Sequence, residues 1–399
     1  MAILTMLSVT EAKILIAQSI PCLHSRHLPI QNILGCILAE DVYSLYDAPS
    51  FRQSSMDGYA FIYDDLLTNR EIKVIDAIAA GDNRSLVISS GMAVRIFTGA
   101  PVPDGADTVV MQEKVKINDT ILLIEDHQIS KGSNVRAMGA ELKKGSLVIE
   151  KGKKIKSRTI GFLAGLGIAE VKVYPAPSIA IIITGNELQA PGTQLAHGNV
   201  YESNSFALTA VLKSLGIEHV RVWYAHDNII EVTTKIREAL EYADMILLTG
   251  GVSVGDYDFV VQAAINNGIH QLFHKIAQKP GKPIFFGMKE NKIVFGLPGN
   301  PGSVLTCFYE YVELAISKMM NKQSVVRSIQ ASLNQNYKTN PALTHFVKGY
   351  LNGERVEILD AQESFRLKSF AEANCLIVLP QGRDQYYPGD EVEVHLLPD

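Results

Sequence analysis

Three segments of the 399-residue chain carry side chains able to do chemistry on an anion. Thr249-Gly250-Gly251-Val252-Ser253-Val254-Gly255-Asp256-Tyr257-Asp258 follows the apolar run 245–248. A glycine-rich turn leaving a buried strand presents backbone N–H groups to a negative ligand. Lys279-Pro280-Gly281-Lys282-Pro283 sets two lysines around a stiff corner, with Lys275 four residues upstream on an expected strand. Gly296-Leu297-Pro298-Gly299-Asn300-Pro301-Gly302-Ser303 adds a third such turn and a hydroxyl. Two ammonium groups on one side of a bend suit a tetrahedral oxyanion or a phosphate. The same bend also fits a solvated hairpin with surface lysines. Three anion-friendly turns together point to a large, phosphate-bearing ligand.

Carboxylates stand close to these turns. Thr184-Gly185-Asn186-Glu187 also leaves an apolar strand, which puts Glu187 and the acids Asp256 and Asp258 on one carboxyl edge of a parallel sheet. Asp227 ends another strand and joins them. A carboxylate beside a polyphosphate is unfavourable without a cation, so the combination calls for Mg²⁺. Helix capping accounts for the same acids, Asp256 above all. The glycine run 250–255 has neither Rossmann nor P-loop spacing. His197, His226 and His274 are isolated and read as structural or surface residues.

The elements that must position these groups follow from periodicity. A helix over 8–20 begins at Ser8 or Thr10, with Glu11 in its first turn and Pro21 after its end. One strand is expected over 37–42. Residues 48–136 show short β segments (72–77, 92–97, 108–111, 121–124) between Gly, Pro, Asp and Asn turns, and no helical run. Within them Asp57-Gly58 reads as a tight turn, and Thr98 follows a strand into a rigid loop; on pattern alone both are turn chemistry. A strand over 146–149, a helix over 157–166 and a strand over 170–174 lead to Pro175-Ala176-Pro177, a stiff boundary. From Ser178 strands (179–184, 220–224, 245–248) alternate with helices (205–215, 229–242, 259–266), followed by a strand over 271–276, a hairpin of 283–287 and 292–296, and a helix over 301–319. That alternation predicts a mostly parallel, three-layered sheet. Short strands return after 321, over 325–333, 347–351, 356–359, 376–379 and 391–397, as a small all-β domain.

Composition bounds the rest. Length alone predicts roughly two to four domains. Apolar residues at 47% and charged residues at 20% are those of a globular chain. A net charge of −5 excludes a generic nucleic-acid binder, so any anion must be held by a few local lysines. Cys22, Cys36, Cys307 and Cys375 are scattered and fit neither a zinc site nor a disulfide framework. The start, Met-Ala-Ile-Leu-Thr-Met, lacks the basic and apolar blocks of a signal peptide, and no apolar run reaches membrane-spanning length, so a cytoplasmic protein without membrane contact is expected.

Taken in order, the segments resemble one family. Ser55-Met56-Asp57-Gly58-Tyr59-Ala60, Phe97-Thr98-Gly99-Ala100-Pro101-Val102-Pro103 and Val110-Met111-Gln112-Glu113 are similar to the β-rich domain of molybdopterin molybdenumtransferase, the MoeA and gephyrin E-domain family. Thr184-Gly185-Asn186-Glu187-Leu188 and the stretches 250–255, 279–283 and 296–301 resemble its α/β domain. The collinear match runs from about residue 8 to the C-terminus.

The resemblance implies an elongated protomer of α/β plus all-β modules. Residues 28–47 with 137–172 would form a mixed β domain and 48–136 a β-rich domain. Residues 173–325, joined by the helix 8–20, would form the three-layer molybdopterin-binding domain, and 326–399 a small β-barrel-like domain. It implies a homodimer whose cleft combines the α/β domain of one subunit with the β-rich domain of the other. The implied reaction takes adenylylated molybdopterin, molybdate and Mg²⁺, places molybdenum on the dithiolene and releases AMP. The metal's two sulfurs belong to the substrate, so no cysteine cluster is required. Transient partners would be the adenylyltransferase that supplies the substrate and the molybdoenzymes that accept the product.

By the same resemblance Lys279, Lys282 and Ser303 hold molybdate with Lys275 close by, and Gly250, Gly251 and Ser253 bind the pterin ligand. Asp57 and Thr98 reach in from the partner, and Lys348 and Ser369 help hold the oxyanion. Glu187, Asp227 and Asp258 handle the cation and the attack on the phosphoanhydride, with Glu187 and Asp258 as the Mg²⁺ ligands. Three departures stand out: Glu141 and Asn186 replace the family's aspartates, and Lys348 replaces arginine, turning a bidentate fork into a point charge. Two other readings stay open: the adenylyltransferase step itself, and a non-catalytic pterin-binding or scaffold paralogue.

Overall fold

Strand Ile179–Thr184 is buried along its whole length and sends alternate side chains into two cores. Ile179, Ile181 and Ile183 enter one cluster with Leu208, Val304, Tyr311 and Ile316. Ala180 and Ile182 enter the other with Val232, Ile236, Val260 and Ala263. A strand covered on both faces is the sandwiched sheet of a three-layer α/β domain. The computed structural model describes residues 6–251 and 259–398; the expectations for Ser253, Asp256 and Asp258 lie outside them.

Six strands form that sheet in the order Val220–Ala225, Ile179–Thr184, Met245–Thr249, Lys292–Leu297, Pro283–Lys289, His270–Lys275. The first four are parallel, and Pro283–Lys289 runs antiparallel to its neighbours on both sides. The helix Val9–Ser19 is held at its start by a reciprocal Ser8–Glu11 capping box and packs Ala12 and Ile16 into the first core.

The chain divides into two compact units: residues up to Ala39 with Lys154–Ser157 and everything from Glu170, and Glu40–Lys153 with Arg158–Ala169. The first unit holds the α/β domain and a closed barrel of five strands, Thr344–Asn352, Arg355–Ile358, Arg327–Leu333, Glu391–Leu396 and Cys375–Leu379, the last pairing back to the first. A short strand, Gln278–Lys279, pairs in parallel with Thr344 and His345 of that barrel. The second unit is built on a six-stranded sheet in the order Thr108–Met111, Gly58–Phe61, Met92–Ile96, Ile72–Ile78, Ile121–Ile124, Val115–Asn118.

Several sequence expectations change. The strand expected over 37–42 is two: Ile37–Leu38 pairs with Glu170–Tyr174 in the first unit, and Val42–Tyr43 pairs with Leu147–Ile149 in the second. Asp57-Gly58 is no tight turn, because Gly58 opens an interior strand. A Cβ there would sit 1.8 Å from the Val110 carbonyl oxygen, so glycine is demanded by a close cross-strand approach. A five-residue helix, Tyr63–Leu67, is too short to leave a periodic trace. The helix expected over 301–319 is interrupted by a π segment, Phe308–Val312, between Pro301–Cys307 and Glu313–Met319. Among the described residues no helix is long and apolar enough to cross a membrane.

Candidate active site

The parallel pairings bring the carboxyl ends of three strands together, and the turns leaving them line one cavity of about 680 Å³. Glu187, Asp227, Gly250, Gly251 and Asn300 stand on its wall. Gly250 (φ +87°) and Gly251 (φ +62°) are in the left-handed region, and a Cβ on Gly250 would lie 2.5 Å from the Thr184 carbonyl oxygen. The wall is therefore bare backbone by necessity. Asn186 Oδ1 accepts the Asp227 N–H at 3.2 Å, so the neutral amide ties the two acid-bearing turns together. The helix Asn204–Ser214 starts on the same wall. Its Asn204 Nδ2 donates to the Gly299 carbonyl at 2.9 Å, while Oδ1 is buried without a hydrogen-bond partner among the described residues. Such an orphaned acceptor is the kind that a ligand N–H completes.

A second cavity, of about 970 Å³, shares Pro283, Pro298, Asn300 and Phe365 with the first. Lys279, Lys282 and Ser303 line it; the two lysines are exposed, and Ser303 is buried in the first turn of a helix entered through Pro301. From the barrel side come His345 and Ser364. The Asn340 N–H donates to His345 Nε2 at 3.1 Å. Burial first, and then the Lys279 charge, holds His345 below its ordinary pKa and favours a neutral ring beside the lysines. Ser364 fastens the barrel loop to the α/β domain: its carbonyl accepts the Gly302 N–H at 2.8 Å, and its hydroxyl accepts from Asn300 Nδ2 at 2.9 Å.

The structure thus brings Glu187, Asp227, Gly250 and Gly251 to one cavity and Lys279, Lys282 and Ser303 to the one beside it. Lys275 lies on neither wall. Lys348 and Ser369 are buried and turned to backbone: Lys348 Nζ donates to the carbonyls of Ala361 (2.8 Å), Arg366 (3.2 Å) and Glu363 (3.4 Å), and Ser369 Oγ to Ala361 (2.8 Å). Burial pushes the Lys348 pKa down. In this structure both support the loop that carries Ser364 and Phe365. In the second unit Asp57 Oδ1 accepts from both the N–H and the hydroxyl of Thr98 at 2.8 Å, which holds its carboxyl below the usual range. Glu141 is exposed, its N–H donating to Ala48 O at 2.9 Å. Sequence reasoning missed Asn204, His345 and Ser364. Ser364 alone had a local signal, its place before Phe365-Arg366 in a polar loop. The described residues contain no group of three or more His, Cys, Asp or Glu side chains arranged for a metal.

A doubly wound α/β domain with bare glycine turns, paired acids and an adjoining lysine bend defines a protein that handles a large anionic ligand at the carboxyl edge of its sheet. Residues 7–167 match the MoeA N-terminal region (domain I and II), 180–318 the probable molybdopterin binding domain, and 330–397 the MoeA C-terminal region (domain IV). Proteins named molybdopterin molybdenumtransferase from Haemophilus influenzae and Staphylococcus epidermidis are each 34% identical, over 98% and 96% of this chain and 100% and 95% of their own. Two crystal structures of a molybdopterin biosynthesis MoeA protein from Pyrococcus horikoshii superpose with TM-scores of 0.77 and 0.70 at 28% and 27% identity, each over 98% of this chain and 99% and 100% of theirs. The chain belongs to the MoeA family, transferases of molybdenum cofactor biosynthesis.

Proposed function

We propose that the protein inserts molybdenum from molybdate into the dithiolene of adenylylated molybdopterin and releases AMP. The observation that carries this reading is the pair of adjoining cavities, one with acids and glycine turns, the other with two lysines. The glycine-walled cavity takes the phosphate-bearing pterin ligand, with Asn204 Oδ1 as an acceptor for one of its N–H groups. The lysine cavity takes the tetrahedral dianion. Lys279 and Lys282 supply charge, and Ser303 and Ser364 supply hydroxyls.

The donor set fits Mg²⁺, a hard cation that keeps several waters and takes one or two protein carboxylates plus phosphate oxygens. Glu187 and Asp227 are both on the first wall, and Asp258, expected as a ligand from the sequence, lies outside the described residues. A bound Mg²⁺ would supply positive charge to the phosphate oxygens at this wall. Glu187 and Asp227 would hold it, or orient water at the phosphorus. The test is AMP release from adenylylated molybdopterin: it should require both molybdate and Mg²⁺. Consumption of ATP with free molybdopterin, independent of molybdate, would instead establish the adenylyltransferase reading. Binding without turnover would establish the scaffold reading.

The reading includes a homodimer in which Asp57 and Thr98 serve the partner's cleft. Subunits carrying Asp57→Ala and subunits carrying Lys279→Ala should each be inactive alone and regain part of the activity when mixed. Failure to complement, with both variants folded and dimeric, removes that assignment.

A further inference from the structure

The bend that carries Lys279 and Lys282 is held from beneath by a buried side-chain amide. Gln278 is 1% exposed. Its Nε2 donates to the Pro280 carbonyl at 2.9 Å and to the Gly281 carbonyl at 3.2 Å. The next carbonyl, of Lys282, accepts the Ile276 N–H at 3.1 Å. Three successive carbonyl oxygens of the bend are thereby drawn into the protein. A carbonyl lone pair on the open side would repel an oxyanion; with all three turned inward, that side offers ammonium groups and few acceptors.

What holds the amide in this orientation comes from the far helix. The Tyr311 hydroxyl donates to Gln278 Oε1, which leaves Nε2 as the group facing the bend. Cys307 Sγ lies 3.7 Å from Nε2 and 3.8 Å from the Gly281 carbonyl, and closes the pocket from the same side. Cys307 immediately precedes the π segment and Tyr311 lies within it, where a widened turn shifts the helix face by a residue. There is no slack in this packing: a Cβ on Gly281, itself at φ +81°, would sit 2.5 Å from Cys307 Sγ.

We infer that Gln278, oriented by Tyr311, is a positioning residue for oxyanion binding: its amide turns the bend's carbonyls away from the cavity so that Lys279 and Lys282 face an acceptor-poor surface. Gln278 borders the cavity, but its amide is spent on the two carbonyls and the Tyr311 hydroxyl, and Tyr311 stands off the cavity wall. The inference rests on the molybdate reading of this cavity and names what orders it.

The test uses the full-length protein and four forms: wild type, Gln278→Met, Tyr311→Phe and Lys279→Ala. Gln278→Met keeps length and volume but cannot donate to the two carbonyls. The expected result is a rise in the molybdate KM of about tenfold for Gln278→Met and a smaller rise for Tyr311→Phe. The KM for the pterin substrate and kcat at saturating molybdate should stay near wild type. Binding of molybdate alone, followed by calorimetry, should weaken in parallel. A purely structural role would lower soluble yield or raise both KM values together, and either of those results in Tyr311→Phe overturns the inference. If Gln278→Met does not fold, Tyr311→Phe, which removes one oxygen, decides the matter. If Lys279→Ala loses molybdate dependence while both other variants keep the wild-type molybdate KM, the positioning role is wrong and the site reading stands. If Lys279→Ala itself keeps the wild-type molybdate KM, the site reading fails and the inference with it.

Discussion

Replacing Lys279 by alanine is expected to reduce molybdate-dependent AMP release by about 10²-fold or more at low molybdate, with the fold intact. Lys279 is exposed on the wall of the larger cavity and forms no ion pair among the described residues, so its removal strands no buried partner there. Its charge is available to an incoming dianion, and removing one preorganised donor from an oxyanion site costs about 2.7–4 kcal/mol. Lys282, three residues beyond it around the same bend, is the second charge, and a double variant should lose more than either single one. Salt should weaken molybdate binding in wild type more steeply than in the double variant, because the attraction is between partly solvated charges. An initial-rate titration against molybdate checks this. Wild-type rates in Lys279→Ala would remove the lysine bend from the chemistry.

Removing the carboxylate of Glu310 is expected to be the most damaging change to stability, of roughly 3–5 kcal/mol, because it breaks a buried charged network. Glu310 is 2% exposed; Lys13 Nζ reaches its Oε2 at 2.5 Å, and His395 Nδ1 lies 2.8 Å from its Oε1. Glu393 and Ser328 extend the chain from His395 Nε2. The network joins the N-terminal helix, the π segment and the last barrel strand, all within the first unit. Burial opposes the charge on Glu310, but Lys13 and then His395 outweigh it and hold the carboxyl low. Burial also opposes the imidazolium of His395, and the hydrogen bond and charge of Glu310 outweigh that, raising its pKa.

The two shifts give opposite pH slopes. A lowered carboxyl stabilises the fold above its ordinary value of 4.5 and loses that contribution as pH falls through its folded pKa. A raised imidazole stabilises the fold below its ordinary value of 6.5 and loses that contribution as pH rises through its folded pKa. The contribution of this network is therefore greatest between those two ordinary values. Glu310→Gln should flatten both slopes, and Glu310→Ala should add a cavity to the loss. Denaturant unfolding at several pH values reads this directly. A change below about 1 kcal/mol in Glu310→Ala would show that the charges contribute no net stability.

The sequence alone determined the order of the elements and most of their bounds in the α/β domain. There apolar runs of strand length alternate with helical periods, and each obeys a rule local to a few residues. It also determined which turns lie on the carboxyl edge, since parallel strands put every exit at the same end. Glu187, Asp227, Gly250 and Gly251 were readable for that reason. The lysine bend was readable because two charges around a Pro-Gly corner are close in sequence as well as in space.

What the tertiary structure alone decided concerns contacts between segments distant in the chain. Gln278 meets Tyr311, Lys13 meets Glu310, and Lys348 and Ser369 both donate to the Ala361 carbonyl. Gly58 is required by a strand that pairs with it from 53 residues further on, at Met111. The π segment leaves no periodic trace, because a single widened turn keeps the apolar residues apolar and only changes which of them face the bend. Side-chain direction inside a core is set by which partners arrive to satisfy each buried polar group, and those partners are chosen by packing across the whole unit.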